Sequence, residues 1–119
     1  MAKYIVTDTE IESKLEEVFG FKVYSENVNL NEKKYESLFF YFKDSIVPQD
    51  IVIYDETLYI NLISKHENTD VFEIIECLES LKLFVKNISY NTAKVSKTNN
   101  FVYITSFEVI RKIKRKRKL

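Results

Sequence analysis

Residues 57–77 read TLYINLISKHENTDVFEIIEC, and the change of pattern inside this stretch decides the fold. Leu58 to Ile63 is a short apolar run of strand type, and the polar residues 65–70 that follow break it. From Val71 the apolar positions recur at helical spacing, through Ile74, Ile75, Leu78, Leu81 and Val85, opposite Glu73, Glu76, Lys82 and Lys86. Asp70 with Glu73 three residues on resembles an N-terminal cap. The spacing therefore predicts a strand, a polar turn and an amphipathic helix over 70–86 that packs back on the sheet.

Toward the N-terminus, Thr9 followed by Glu12 fits a capping box, and Ile11, Leu15, Val18 and Phe19 form one stripe that ends at Gly20. Glycine there suits a left-handed residue closing a helix, so a helix is expected over 9–19. Tyr4, Ile5 and Val6 before it suggest a short edge strand within residues 1–7, and residues 21–25 a second short strand. The polar stretch 26–34 reads as a loop. Tyr35, Leu38, Phe39, Phe42 and Ile46 could line a helix, but five consecutive bulky residues over 38–42 suit a strand covered on both sides.

Pro48 is expected to break the chain, with residues 51–54 and 58–63 pairing as a β-hairpin across a loop of Asp55, Glu56 and Thr57. Residues 88–95 and 101–113 flank the polar 96–100 as a second hairpin. The result is an α+β fold: one antiparallel or mixed sheet of five to six strands packed by two amphipathic helices.

A chain of 119 residues with 45% hydrophobic and 30% charged residues suits one folded domain, here residues 1–110 followed by a basic tail, 111–119. Nine Phe and eight Tyr favour half-buried pleated surfaces. One Gly and one Pro leave no room for a phosphate-cradling loop, a GxGxxG turn or a GxSxG elbow. No apolar run approaches a bilayer span and the first ten residues are polar, so a cytoplasmic location without a membrane partner is expected. The zero net charge hides a separation: every one of the 18 acidic residues stands at or before Glu108, whereas seven of the 18 basic ones fall within 111–118. The body is thus acidic and the tail basic.

Few residues invite chemistry. His66 is the only histidine and sits in a polar stretch, where solvation accounts for it. Cys77 is alone, excluding an internal disulfide and a cysteine zinc site, and reads as a flank of the core. Glu73, Glu76 and Glu79 share a helix side but lack the oxygen cage of a calcium loop. Asp8, Glu10 and Glu12 fit the acidic preference of a helix start. Neither catalysis nor a cofactor is expected. The chemically loud segment is Arg111, Lys112, Lys114, Arg115, Lys116, Arg117 and Lys118, which could neutralise phosphates, meet an acidic protein or be solvated. No aromatic follows Phe107, so base stacking on the tail is not offered.

The order of helix, short strand, polar loop, strand, hairpin, helix and hairpin resembles the tail terminator, or tail-completion, proteins of long-tailed bacteriophages. The resemblance is carried by residues 15–24, 38–42, 57–77 and the closing strand 101–113; the apolar Tyr4 to Val6 and the basic tail are additions to it. It implies a non-enzymatic homo-oligomer, a hexameric ring joining the tail tube to the head connector, assembled in the host cytoplasm and then part of the virion. A cationic terminus near a DNA-conducting channel would allow non-specific DNA contact. Two readings outside the resemblance stay open: a nucleic-acid accessory protein docking through residues 111–118, and an inhibitor of a host enzyme whose acidic body mimics a polyanion.

Overall fold

The computed structural model describes residues 2–25, 37–65, 71–94 and 101–115. Their order is β1 (Ala2–Tyr4), α1 (Asp8–Phe19), β2 (Lys22–Tyr24), β3 (Ser37–Pro48), β4 (Ile53–Ser64), α2 (Val71–Ser80), β5 (Phe84–Lys94) and β6 (Phe101–Arg115). The strands make one mixed six-stranded sheet, with β2 parallel to β3 and every other pair antiparallel. β6 is its spine. One edge pairs along β4, while the other is shared by β5, opposite residues 101–110, and β1, opposite residues 113–115. This is the expected α+β architecture.

Alternation sorts the side chains between the two faces. Phe39 and Tyr41 of β3, Leu58, Ile60 and Leu62 of β4, and Phe107 and Val109 of β6 form the face that both helices cover. Ile11 and Leu15 of α1 and Val71, Ile74, Cys77 and Leu78 of α2 complete that core. The opposite face carries a smaller cluster of Leu38, Ile63 and Val102, edged by Tyr24, Phe40, Ala93 and Ile104.

The helix starts and ends show where local signals prevailed and where they did not. α1 is capped by Thr7, one box earlier than Thr9: the Glu10 amide donates to Thr7 Oγ1 at 3.2 Å and the threonine hydroxyl to Glu10 Oε1 at 3.3 Å. Gly20 closes it as expected, left-handed at φ 72°, its amide on the Glu16 carbonyl at 2.8 Å. Val18 does not join the stripe; at 49% exposed it lies outside the core, whereas Phe19 reaches Phe21 and Phe39.

α2 stops at Ser80, six residues short of the expected helix over 70–86. Lys82 adopts φ 66°, its amide bonds the Glu79 carbonyl at 2.9 Å, and the Leu83 amide bonds the Leu78 carbonyl at 3.2 Å. That pair of bonds is a Schellman termination, with Lys82 in the left-handed place usually held by glycine. Leu83 is buried by the reversal, and Val85 belongs to β5.

The first hairpin also moves. The strand expected over 38–42 runs on through Pro48, and β4 is unbroken through Asp55, Glu56 and Thr57. The turn lies at residues 49–52, where the Gln49 and Asp50 amides share the Ile53 carbonyl at 2.9 and 3.1 Å and the Val52 amide donates to Asp50 Oδ1 at 3.1 Å. Among the described residues β2 pairs with β3 only at residues 38–40, so Pro48 sits on a stretch with no described strand on its far side, where a missing amide is tolerated. The residues 26–34, 66–70 and 96–100, read above as polar loops and including the cap residue Asp70, lie outside the described residues.

Candidate functional site at the basic end of the sheet

The far end of β6 holds the residues that the sequence marked as a basic tail. It is strand, not tail, as far as Arg115, which moves the limit of the folded domain beyond residue 110. Its alternation then separates the cations: Arg111 and Ile113 turn into the core, and Lys112 and Lys114 turn out to solvent.

Arg111 is fully buried and cannot meet a polyanion from solvent, a correction to its reading as a phosphate contact. It stands directly across from Glu56 in the ladder, and both its Nε, at 3.1 Å, and an NH2 group donate to Glu56 Oε1. NH1 donates to the Val6 carbonyl at 3.2 Å and to Asp8 Oδ1 at 2.6 Å. One guanidinium thus ties β4, β6, the residue before α1 and the first turn of α1 together. Burial pulls the pKa of Arg111 down, but the hydrogen bonds and charges of Glu56 and Asp8 outweigh it and hold it above the ordinary value. Burial pushes the Asp8 carboxyl up, yet Arg111 and Lys43 together hold it below the usual carboxylate value. Lys43 Nζ stands 3.5 Å from the second Asp8 oxygen. Beside them Tyr41 is pushed up to about 12, by burial first and then by the charges of Asp8 and Glu12.

Glu56 and Asp55 explain the misplaced hairpin. Asp55 pairs with Lys112 across the ladder at 2.5 Å, and Glu56 is neutralised by Arg111. Charges that read as a loop in isolation are strand residues whose partners stand 55 or more positions later. The signal was present in the parity of β6, since Arg111 shares its odd-numbered face with Phe107, Val109 and Ile113.

Lys114 is exposed and, among the described residues, has no recorded ion pair. Arg115 is within β6, while Lys116, Arg117 and Lys118 lie outside the described residues. Around the two outward lysines the sheet end is apolar. Val47 is 50% exposed and Ile51 66%, and Ile5 is exposed as well, whereas Ile46, also exposed, stands in the row of Glu56 and Arg111 on the other face. Register places Val47, Asp55 and Lys112 in one row and Ile53, Lys114 and Lys3 in another, so hairpin, β6 end and β1 form a single surface.

The other candidates lie apart from it. Cys77 is buried, and burial pushes its thiol up, away from thiolate character. Glu73, Glu76 and Glu79 are exposed on the outer side of α2, and no cluster of His, Cys, Asp and Glu among the described residues could hold a metal ion. Glu10 serves the cap of α1, Glu12 the Tyr41 hydroxyl. His66 lies outside the described residues. No helix among the described residues is long and apolar enough to cross a membrane. Compared with protein-family models and with curated proteins, the chain matches none.

Proposed function

We propose that this chain is a structural subunit that works by association: a phage tail terminator, or tail-completion protein, whose copies form a ring between the tail tube and the head connector. The observation that carries this reading is the set of exposed aliphatic side chains Ile5, Val47 and Ile51 at the end of the sheet that carries the outward lysines. Apolar side chains gathered at one end of a sheet and rimmed by charge are the mark of a surface made to be covered by protein. Such a subunit would assemble in the host cytoplasm and persist in the virion.

The test is negative-stain electron microscopy of the purified chain, alone and mixed with the tail-tube protein of the same genome. Rings that cap tube ends are expected; uncapped tubes beside a dispersed monomer would refute the reading. Docking on DNA through residues 111–118 is the weaker alternative, because Arg111 is internal.

A further inference from the structure

We propose that the basic, aliphatic end of the sheet in one copy docks on the outward face of α2 in a second copy, a head-to-tail contact that rests on the association reading above. The first surface is Ile5, Val47 and Ile51 with Lys112 and Lys114. The second centres on Phe72, at 78% the most exposed large hydrophobic residue among the described residues, with Glu73, Glu76 and Glu79 around it on the same side of the helix.

The two surfaces are complementary in both respects that matter. Each offers bulky apolar side chains, and their charges are opposite. None of the three glutamates has a recorded ion pair among the described residues, and neither has Lys114. A nucleic-acid partner would leave the three aliphatic side chains without a use, since phosphates take up only the lysines. The acidic side of α1 is a poorer match: Glu10 is committed to its cap, Glu12 to Tyr41, and Glu16 accepts from the Val23 amide at 3.3 Å.

The contact joins unlike surfaces on different elements, the sheet end and the helix layer, so it is heterologous. Contacts of that kind close into rings when the rotation per subunit allows and otherwise run on as filaments. The proposal therefore supplies the interface from which a ring would be built.

The test is a charge exchange in the full-length protein. One variant carries Glu73→Lys, Glu76→Lys and Glu79→Lys; the other carries Lys112→Glu and Lys114→Glu. All five positions are on the surface, and circular dichroism with thermal melts verifies that each variant folds. Each variant alone juxtaposes like charges and should associate at least ~100-fold more weakly than the parent. An equal mixture pairs opposite charges again and should recover the parental assembly mass. Phe72→Ser and Ile51→Asp, which leave the glutamates and lysines in place, should each weaken assembly too.

Variants that assemble as the parent does, or a mixture that stays monomeric, would overturn this contact while leaving association itself intact. A monomeric parent would overturn both. Unchanged assembly together with loss of duplex DNA binding by the lysine variant in a gel shift would reassign the basic end to nucleic acid and sink the proposal.

Discussion

α1 and α2 lie side by side on one face of the sheet and are held there by different physics. α1 is fastened at its start by a buried guanidinium that reaches it through Asp8 and the Val6 carbonyl, with Ile11 and Leu15 packing behind. The described contacts of α2 with the core are apolar, through Val71, Ile74, Cys77 and Leu78. An ion network is directional and depends on protonation, whereas an apolar stripe depends on area and fit. The two helices should therefore fail under different provocations, although they share a core.

The largest expected effect is at Arg111. Arg111→Ala leaves the Glu56 carboxylate buried without its partner and should destabilise the protein by about 3–5 kcal/mol. Coupling Arg111→Met with Glu56→Leu should return most of that loss, because a buried pair is often replaceable by well-packed apolar residues. Denaturant titration of the single and double variants measures the difference. A harmless Arg111→Ala would mean that the guanidinium is not the fastener of α1.

Leu78→Ala is next. At 0% exposure its loss should cost about 2–5 kcal/mol through lost transfer energy and a residual cavity. Unlike the Arg111 effect, it should not depend on pH, so repeating the titration below pH 3.8 separates the two anchors.

The acid response follows from Asp8. Its folded pKa is lowered, so its contribution is fully present above the unfolded value of 3.8 and is lost as pH falls through the folded one. Hydrogen exchange should show the first turn of α1 losing protection on acidification before α2 does, and Asp8→Asn should remove that difference. Simultaneous loss in both helices would erase the distinction drawn here. The smallest effect is Glu76→Ala, which should stay within about 0.5 kcal/mol in the same titration because the residue faces outward on α2.

Much of this architecture was legible in the chain because it is locally encoded. The stripe of Ile11 and Leu15 with Gly20 behind it specified α1, and Val71, Ile74 and Leu78 specified the buried side of α2. Alternation gave the closing hairpin of β5 and β6. What escaped the reading depends on partners far away in sequence. Asp55 and Glu56 look like turn residues until Lys112 and Arg111 stand across from them. α2 ends at Ser80 and is closed by Lys82, a left-handed residue that no glycine announces, because the burial of Leu83 and the bonds to Leu78 and Glu79 outweigh the strain. Thr7 and Thr9 both offer a capping box; Thr7 caps α1, and with it Asp8 meets Arg111. At the candidate site the sequence reading treated the cations of residues 111–118 as equivalent, when strand parity sends Arg111 inward and Lys112 and Lys114 outward.

The measurement that bears most directly on the central claim, that the outward face of this basic end is an association surface, is the mass of the purified chain in solution at low and high salt. Sedimentation equilibrium should return a multiple of the 14.2 kDa protomer at low salt, and the assembly should loosen as salt screens the lysine and glutamate charges. A 14.2 kDa particle at every salt and protein concentration tested would contradict it.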